Sequence, residues 1–282
     1  MRKREKSEGP GKMTELKIID VSQWNGWIDW EQVKNHIDGA IIRCGYGSDY
    51  EKQDDSYFER NADECERLGI PYGVYLYSYA VNDWQAESEA AHAIRLCNGR
   101  KLNYPLYFDT EETGTEWAAR NCATIFCEKV EEAGYFAGIY ASQSWWLTYL
   151  GALDRWTKWV ARWGTSSAGM QCDMWQYTSN GNVPGIQGRV DMNICYRDFP
   201  AEIGEIEMIT DSDIDKIAQR TWEYIYHYGQ KDEDRILQNT LKTKQLSNGY
   251  NVLREAFKQA FEANNAVKAL EKKLDTIIEK LR

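Results

Sequence analysis

Between residues 16 and 196, short apolar runs alternate with stretches in which apolar positions recur at helical spacing. The runs cover 16–22, 39–47, 72–80, 104–111, 137–142, 159–163, 173–178 and 190–196, and each has the length and residue types of a buried strand. Helical patterns fill 29–37, 54–68, 83–97 and 117–133. Leu68-Gly69-Ile70-Pro71 and Ala133-Gly134-Tyr135 stop two of them and lead into new strands. Strand and helix in alternation predict a parallel sheet covered by helices, and eight strand candidates predict a barrel. The helices thin out after residue 150, so the last strands are expected to be joined by loops. The expected fold class is therefore α/β, an incomplete (β/α) barrel over 14–200.

From about residue 205 the strand-like runs disappear. Leu246, Leu253, Ala260, Val267, Leu274 and Leu281 recur every seven residues, and Tyr250, Phe257, Asn264, Glu271 and Ile278 precede five of them by three. This heptad predicts a helical tail over 205–282, a coiled coil that makes the protein a homo-oligomer. Asn264 suits a register-fixing polar pair, whereas Glu271 at the equivalent position weakens the seam. A single amphipathic helix packed on the barrel is the alternative. Residues 1–13 read as a disordered basic leader without the apolar run of a secretory signal, which implies synthesis in the cytoplasm and release by another agent.

Charge narrows the partners. The net charge of −10 divides into +3 over 1–13, −11 over 14–200 and −2 beyond. An acidic central domain repels nucleic-acid phosphates, and no stretch is long and apolar enough for a membrane span. The seven cysteines are odd in number and lack CxxC spacing, which fits small buried thiols and argues against zinc. Eleven of the 12 Trp lie before residue 200, more than a core needs, as where sugar rings stack on flat side chains.

In a parallel barrel, functional groups gather at the C-terminal ends of the strands. Asp20 ends the first run, Asp109 and Glu111 end the fourth, and Asp191 opens the eighth. Alternation along a strand puts Asp109 and Glu111 on one side, where two close carboxylates raise each other's proton affinity. One can then stay protonated near neutral pH and act as a general acid. An isolated DxE is more often a solvated strand end; the company of Asp20 and Asp191 favours a site. The histidines His36, His92 and His227 fall in helical stretches and read as surface or structural residues. No GxSxG, HExxH or phosphate-cradling glycine motif is present. Acid catalysis by carboxylates in an aromatic cleft, without cofactor or metal, points to sugars.

Four segments carry a family resemblance. Asp20-Val21-Ser22-Gln23-Trp24-Asn25-Gly26, Phe108-Asp109-Thr110-Glu111, Trp175-Gln176-Tyr177-Thr178-Ser179-Asn180-Gly181 and Val190-Asp191-Met192-Asn193 resemble, in this order, the family 25 glycoside hydrolases, the muramidases of phages, bacteria and some fungi. Asn25 stands where many members have Gln. The resemblance implies a flattened, incomplete (β/α) barrel with three strands outside the full β/α repeat, and hydrolysis of the β-1,4 bond between N-acetylmuramic acid and N-acetylglucosamine in bacterial peptidoglycan, with no metal. It implies Glu111 as the acid on the leaving oxygen. Asp109 would stabilise the forming positive charge, as nucleophile or by assisting the substrate's acetamido group, with Asp20 and Asp191 flanking the cleft. Tyr46, Tyr77, Tyr79, Tyr107, Tyr140, Trp159 and Trp175 are candidate groove residues, joined by Trp24 and Gln176 from the matched segments. A phage endolysin is the expected setting. The alternatives are a non-catalytic wall-binding or phage structural protein on the same barrel, and a hydrolase of another polysaccharide such as chitin.

Overall fold

The computed structural model describes residues 15–207. The chain divides into two units, Met1–Ile203 and Gly204–Arg282, and the barrel lies in the first. The heptad positions, His227 and the leader over 1–13 lie outside the described residues.

Eight strands close into one barrel in sequence order: β1 (Leu16–Val21), β2 (Gly39–Tyr46), β3 (Tyr72–Tyr77), β4 (Leu106–Asp109), β5 (Ala137–Ser142), β6 (Thr157–Ala161), β7 (Met174–Gly181) and β8 (Val190–Cys195). The first seven are joined by parallel pairings, while β8 runs antiparallel to both β7 and β1. A uniformly parallel sheet would have put the start of β8 at the opposite end from Asp20. The reversal instead sets Asp191 directly across from Asp20 in the β1–β8 register.

Helices α1 (Trp30–Val33), α2 (Phe58–Leu68), α3 (Asp83–Cys97) and α4 (Ala119–Glu132) follow the first four strands. After β5 there is a short α5 (Gln143–Trp145) that runs into a π-helical turn over Trp146–Leu150. No helix separates β6, β7 and β8, so the repeat is incomplete where the helical pattern thins. The end of α2 shows the local logic. Gly69 takes φ 66° and its N–H caps the carbonyls of Cys65 and Glu66, a left-handed turn that side chains with a Cβ resist.

Period-two alternation sorts each strand between two cores. Outward residues such as Ile19, Ile42, Val74, Phe108 and Ile139 pack beneath the helices. Inward residues Ile18, Ile41, Tyr107, Tyr140, Trp159, Met174 and Cys195 fill the barrel. Phe199 of α6 (Phe199–Glu207) stacks on Tyr104 just before β4, with centroids 5.8 Å apart, and closes the end from which the parallel strands start. The other end is open for chemistry. Six of the seven cysteines are buried, as small core residues. Among the described residues no helix is long and apolar enough to cross a membrane.

Candidate active site

The inward parity that fills the barrel turns polar one step further along most strands. Ile18 is followed at i+2 by Asp20, Ile41 by Arg43, Tyr75 by Tyr77, Tyr107 by Asp109 and Met174 by Gln176, while β8 contributes Asp191 and Asn193. These residues form a polar layer at the open end, on a floor of Tyr107, Tyr140 and Trp159.

Asp20, Asp109, Glu111 and Asp191 belong to one electrostatic cluster. Burial, then the negative charge of Asp191, pushes Asp20 up to about 8, against hydrogen bonds from Asn193 and Gln176. Burial raises Asp109 well above the ordinary carboxylate range; Glu111 and Asp20 add to this and Arg43 opposes it. Asp109 is 4% exposed, and its Oδ1 has no protein partner. Burial also raises Glu111, with Asp191 and Glu112 adding and the Tyr140 hydroxyl opposing. Asp191 is pushed up to about 6 by burial. The strand itself ends at Asp109, so Glu111 stands in the following loop rather than on the strand. That difference frees it from the barrel wall and leaves it half-buried at the mouth, above the deeper Asp109.

The other expected residues fall in distinct places. Tyr46, Tyr77 and Tyr79 make one aromatic group at the mouth, with centroids 6.2 Å apart for Tyr46–Tyr79 and 5.3 Å for Tyr77–Tyr79. The Tyr77 hydroxyl donates to Glu112 Oε2 at 2.8 Å. Tyr140 is buried, with its hydroxyl 3.0 Å from Gln176 Oε1. Trp159 is 1% exposed and lies in the floor, edge-on to Tyr75, Tyr107 and Tyr140. Trp175, one residue before inward Gln176, faces the outer core and donates to the Arg162 carbonyl at 2.9 Å. Trp24 is exposed in the turn after β1.

Four contributors were not singled out from sequence. Arg43 brings a cation to the carboxylates, Asn193 a second amide to Asp20, and Trp163 a half-exposed indole at the rim. Tyr75 lies half-buried among the same charges. A lone Arg at an inward position of a fully apolar strand was the visible signal for Arg43. Of the histidines, His92 is fully buried and bonded to the Gly47 carbonyl and Asp54, a structural role, and His36 is exposed. Among the described residues no cluster of His, Cys, Asp and Glu could hold a metal ion.

A barrel whose open end carries carboxylates of raised proton affinity under a rim of aromatic rings has the parts that a glycoside hydrolase needs. Comparison with known proteins specifies which kind. The family model "Glycosyl hydrolases family 25" matches residues 19–186. Lysozyme M1 of Streptomyces globisporus is 26% identical over 218 residues, covering 67% of this chain and 70% of that protein. The modular autolysin LytC of Streptococcus pneumoniae is 34% identical with a TM-score of 0.58; the match covers 66% of this chain and 48% of the autolysin, under half of its length. The catalytic domain of endolysin ply40, from bacteriophage P40 of Listeria monocytogenes, is 25% identical with a TM-score of 0.60, covering 68% of this chain and 98% of that domain. The chain belongs to glycosyl hydrolase family 25 and is a glycoside hydrolase of the muramidase type.

Proposed function

We propose that this protein hydrolyses the β-1,4 bond between N-acetylmuramic acid and N-acetylglucosamine in bacterial peptidoglycan. The observation that carries this is the pairing of buried Asp109 with half-buried Glu111, both with raised proton affinity, at the open end of a family 25 barrel. Glu111 is the group that gives its proton to the leaving oxygen, because it stands at the mouth and holds that proton into a higher pH range than a free carboxyl. Asp109, deeper and beneath it, faces the positive charge that develops at the sugar carbon. Asp20 and Asp191 hold the surrounding charge. Tyr46, Tyr77, Tyr79 and Tyr140 border the saccharide, while Gln176, Trp159 and Trp175 support the polar layer from below and behind.

The likeness to an endolysin catalytic domain supports action as a phage lysin on the wall of a host cell. The heptad over 246–281 supports self-association, which would multiply contacts with a polymeric wall; light scattering on the full chain decides this.

The central test compares the protein with Glu111→Gln on purified peptidoglycan, identifying released ends by mass spectrometry. The parent releases muramic-acid reducing ends, and the variant is slower by at least about a hundredfold. A parent that releases nothing from several wall types leaves the wall-binding alternative in its place. A variant with undiminished activity removes Glu111 as the acid.

A further inference from the structure

Asp20 is held by two side-chain amides, and both donate to the same oxygen. Gln176 Nε2 reaches Asp20 Oδ2 at 3.0 Å and Asn193 Nδ2 reaches it at 2.8 Å. An amide can be turned end for end with little change of shape, and a turned amide would aim a carbonyl oxygen at the carboxylate instead. Something must therefore fix which end faces Asp20.

Two tryptophans do so. Trp159 Nε1 donates to Asn193 Oδ1 at 2.8 Å, and Trp163 Nε1 donates to Gln176 Oε1 at 3.0 Å. An indole N–H gives a hydrogen bond and cannot accept one, so each ring dictates that the amide oxygen faces it and the amide nitrogen faces Asp20. The Ile18 carbonyl, 3.3 Å from Asn193 Nδ2, reinforces the first orientation. The Tyr140 hydroxyl lies by Gln176 Oε1 but also acts on Glu111. Its single hydrogen can turn to either acceptor, which leaves Trp163 as the fixed director of Gln176.

We propose that Trp163 and Trp159 are positioning residues whose one-way N–H donors lock Gln176 and Asn193 so that both amides stabilise the ionised form of Asp20 through Oδ2 and confine any proton of that carboxyl to Oδ1. Neither indole needs to touch the sugar for this. The proposal deepens the hydrolase reading above and rests on it for its catalytic consequence. The charged and titratable groups acting on Asp20 from the surrounding elements are Asp191 of β8, Asp109 of β4, Glu111 of the loop after it, Tyr75 of β3 and Tyr140 of β5, while Arg43 of β2 acts on Asp109. Against that mostly negative company, the locked amides keep Asp20 able to ionise. Its charge in turn is one of the influences holding a proton on Asp109.

The test is a carbon-13 NMR titration of protein labelled at the aspartate side-chain carboxyls, with the Asp20 signal assigned by its loss in Asp20→Asn. In Trp163→Phe, which keeps a ring at the half-exposed rim but removes the N–H, Gln176 is free to turn. The Asp20 midpoint is expected to rise by about one pH unit, a tenfold change in its proton affinity. Gln176→Met removes the donor outright and is expected to shift the midpoint in the same direction. An unchanged midpoint in both folded variants overturns the lock. With peptidoglycan, the acid limb of kcat in Trp163→Phe is expected to move to lower pH, because a neutral Asp20 no longer presses on Asp109; an unmoved limb overturns the catalytic consequence. A parent that cleaves no peptidoglycan defeats the hydrolase reading, while the titration still decides whether the lock exists.

Discussion

Arg43 and Asp55 form a buried ion pair, Nε to Oδ2 at 2.8 Å, with side-chain exposures of 11% and 1%. Asp55 is itself held from three sides: Oδ2 also accepts the Gln23 N–H at 2.9 Å, Oδ1 accepts the Tyr57 N–H at 3.0 Å, and its own N–H donates to the Cys44 carbonyl at 2.7 Å. The pair thus ties the loops after β1 and β2 together and aims a fixed cation at the carboxylate layer, where it opposes the upward shift of Asp109. Removing one partner of such a pair leaves the other charge buried alone. Asp55→Ala is expected to lower folding stability by about 3–5 kcal/mol, read from denaturant unfolding at constant pH. A loss below about 1 kcal/mol, the range of exposed pairs, would mean that Arg43 finds other partners.

Asp191 acts on Glu111 through charge. Burial is the larger cause of the raised Glu111 proton affinity, and Asp191 adds like-charge pressure. With Glu111 as the acid, the alkaline limb of kcat/KM against pH reports the loss of its proton. Asp191→Asn removes a negative neighbour, so Glu111 ionises more easily and the alkaline limb is expected to move to lower pH by about half a unit to one unit. A limb that stays in place, or moves up, would show that another group sets it.

Glu89 is 1% exposed on the buried face of α3. Its two oxygens accept Ser78 Oγ at 2.6 Å and the Tyr79 N–H at 2.9 Å, pinning the turn after β3 that carries Tyr79 to the mouth. Burial outweighs these bonds and pushes it up to about 7. Asp20 at about 8 and Asp191 at about 6 are raised in the same way. A folded-state value above the unfolded one means that the native protein binds more protons. Stability is then fully present below pH 4 or so for these groups and declines as pH rises through 6–8. Glu89→Gln is expected to match the parent below about pH 4 and exceed it by on the order of 2–3 kcal/mol at pH 8, where the parent must ionise a buried carboxyl. Equal unfolding midpoints at both pH values would refute the assignment.

Much of this was legible in the chain. Strands announced themselves as apolar runs, and Asp20, Asp109, Glu111 and Asp191 stood out because they fell together at the ends of different strands of one expected barrel. Gln176 and Asn193 sat inside recognisable segments, but nothing in their spacing reveals that both donate to one oxygen of Asp20; that depends on barrel closure and on the reversal of β8. Trp159 and Trp175 illustrate a further limit. Both border strand ends, yet one fills the floor and the other the outer core, because parity relative to the barrel axis, not nearness to a strand end, decides where a ring points. Glu89 was hidden by its helix, where an acidic residue ordinarily reads as solvated.

The barrel floor imposes one more constraint, at Gly138. A Cβ there would lie 2.4 Å from the Tyr107 ring and 2.3 Å from Thr157 Oγ1. Tyr107 is packed in the closed barrel and cannot swing away, since Trp159 lies edge-on to it with centroids 5.1 Å apart. Trp159 in turn orients Asn193, which donates to Asp20. Gly138→Ala therefore presses on the chain of contacts that ends at the carboxylates. The expected cost is about 1–3 kcal/mol of stability, typical of overpacking, with a fall in kcat larger than the change in KM because the displaced groups lie under the reacting centre. Gly69→Ala is the matched control: its φ of 66° makes alanine strained, yet its Cβ would meet nothing within 4 Å. It is expected to cost about 1 kcal/mol and leave kcat untouched. Thermal unfolding together with initial rates on peptidoglycan separates the two, and equal kcat losses in both variants would mean that general destabilisation, not the floor, explains the effect.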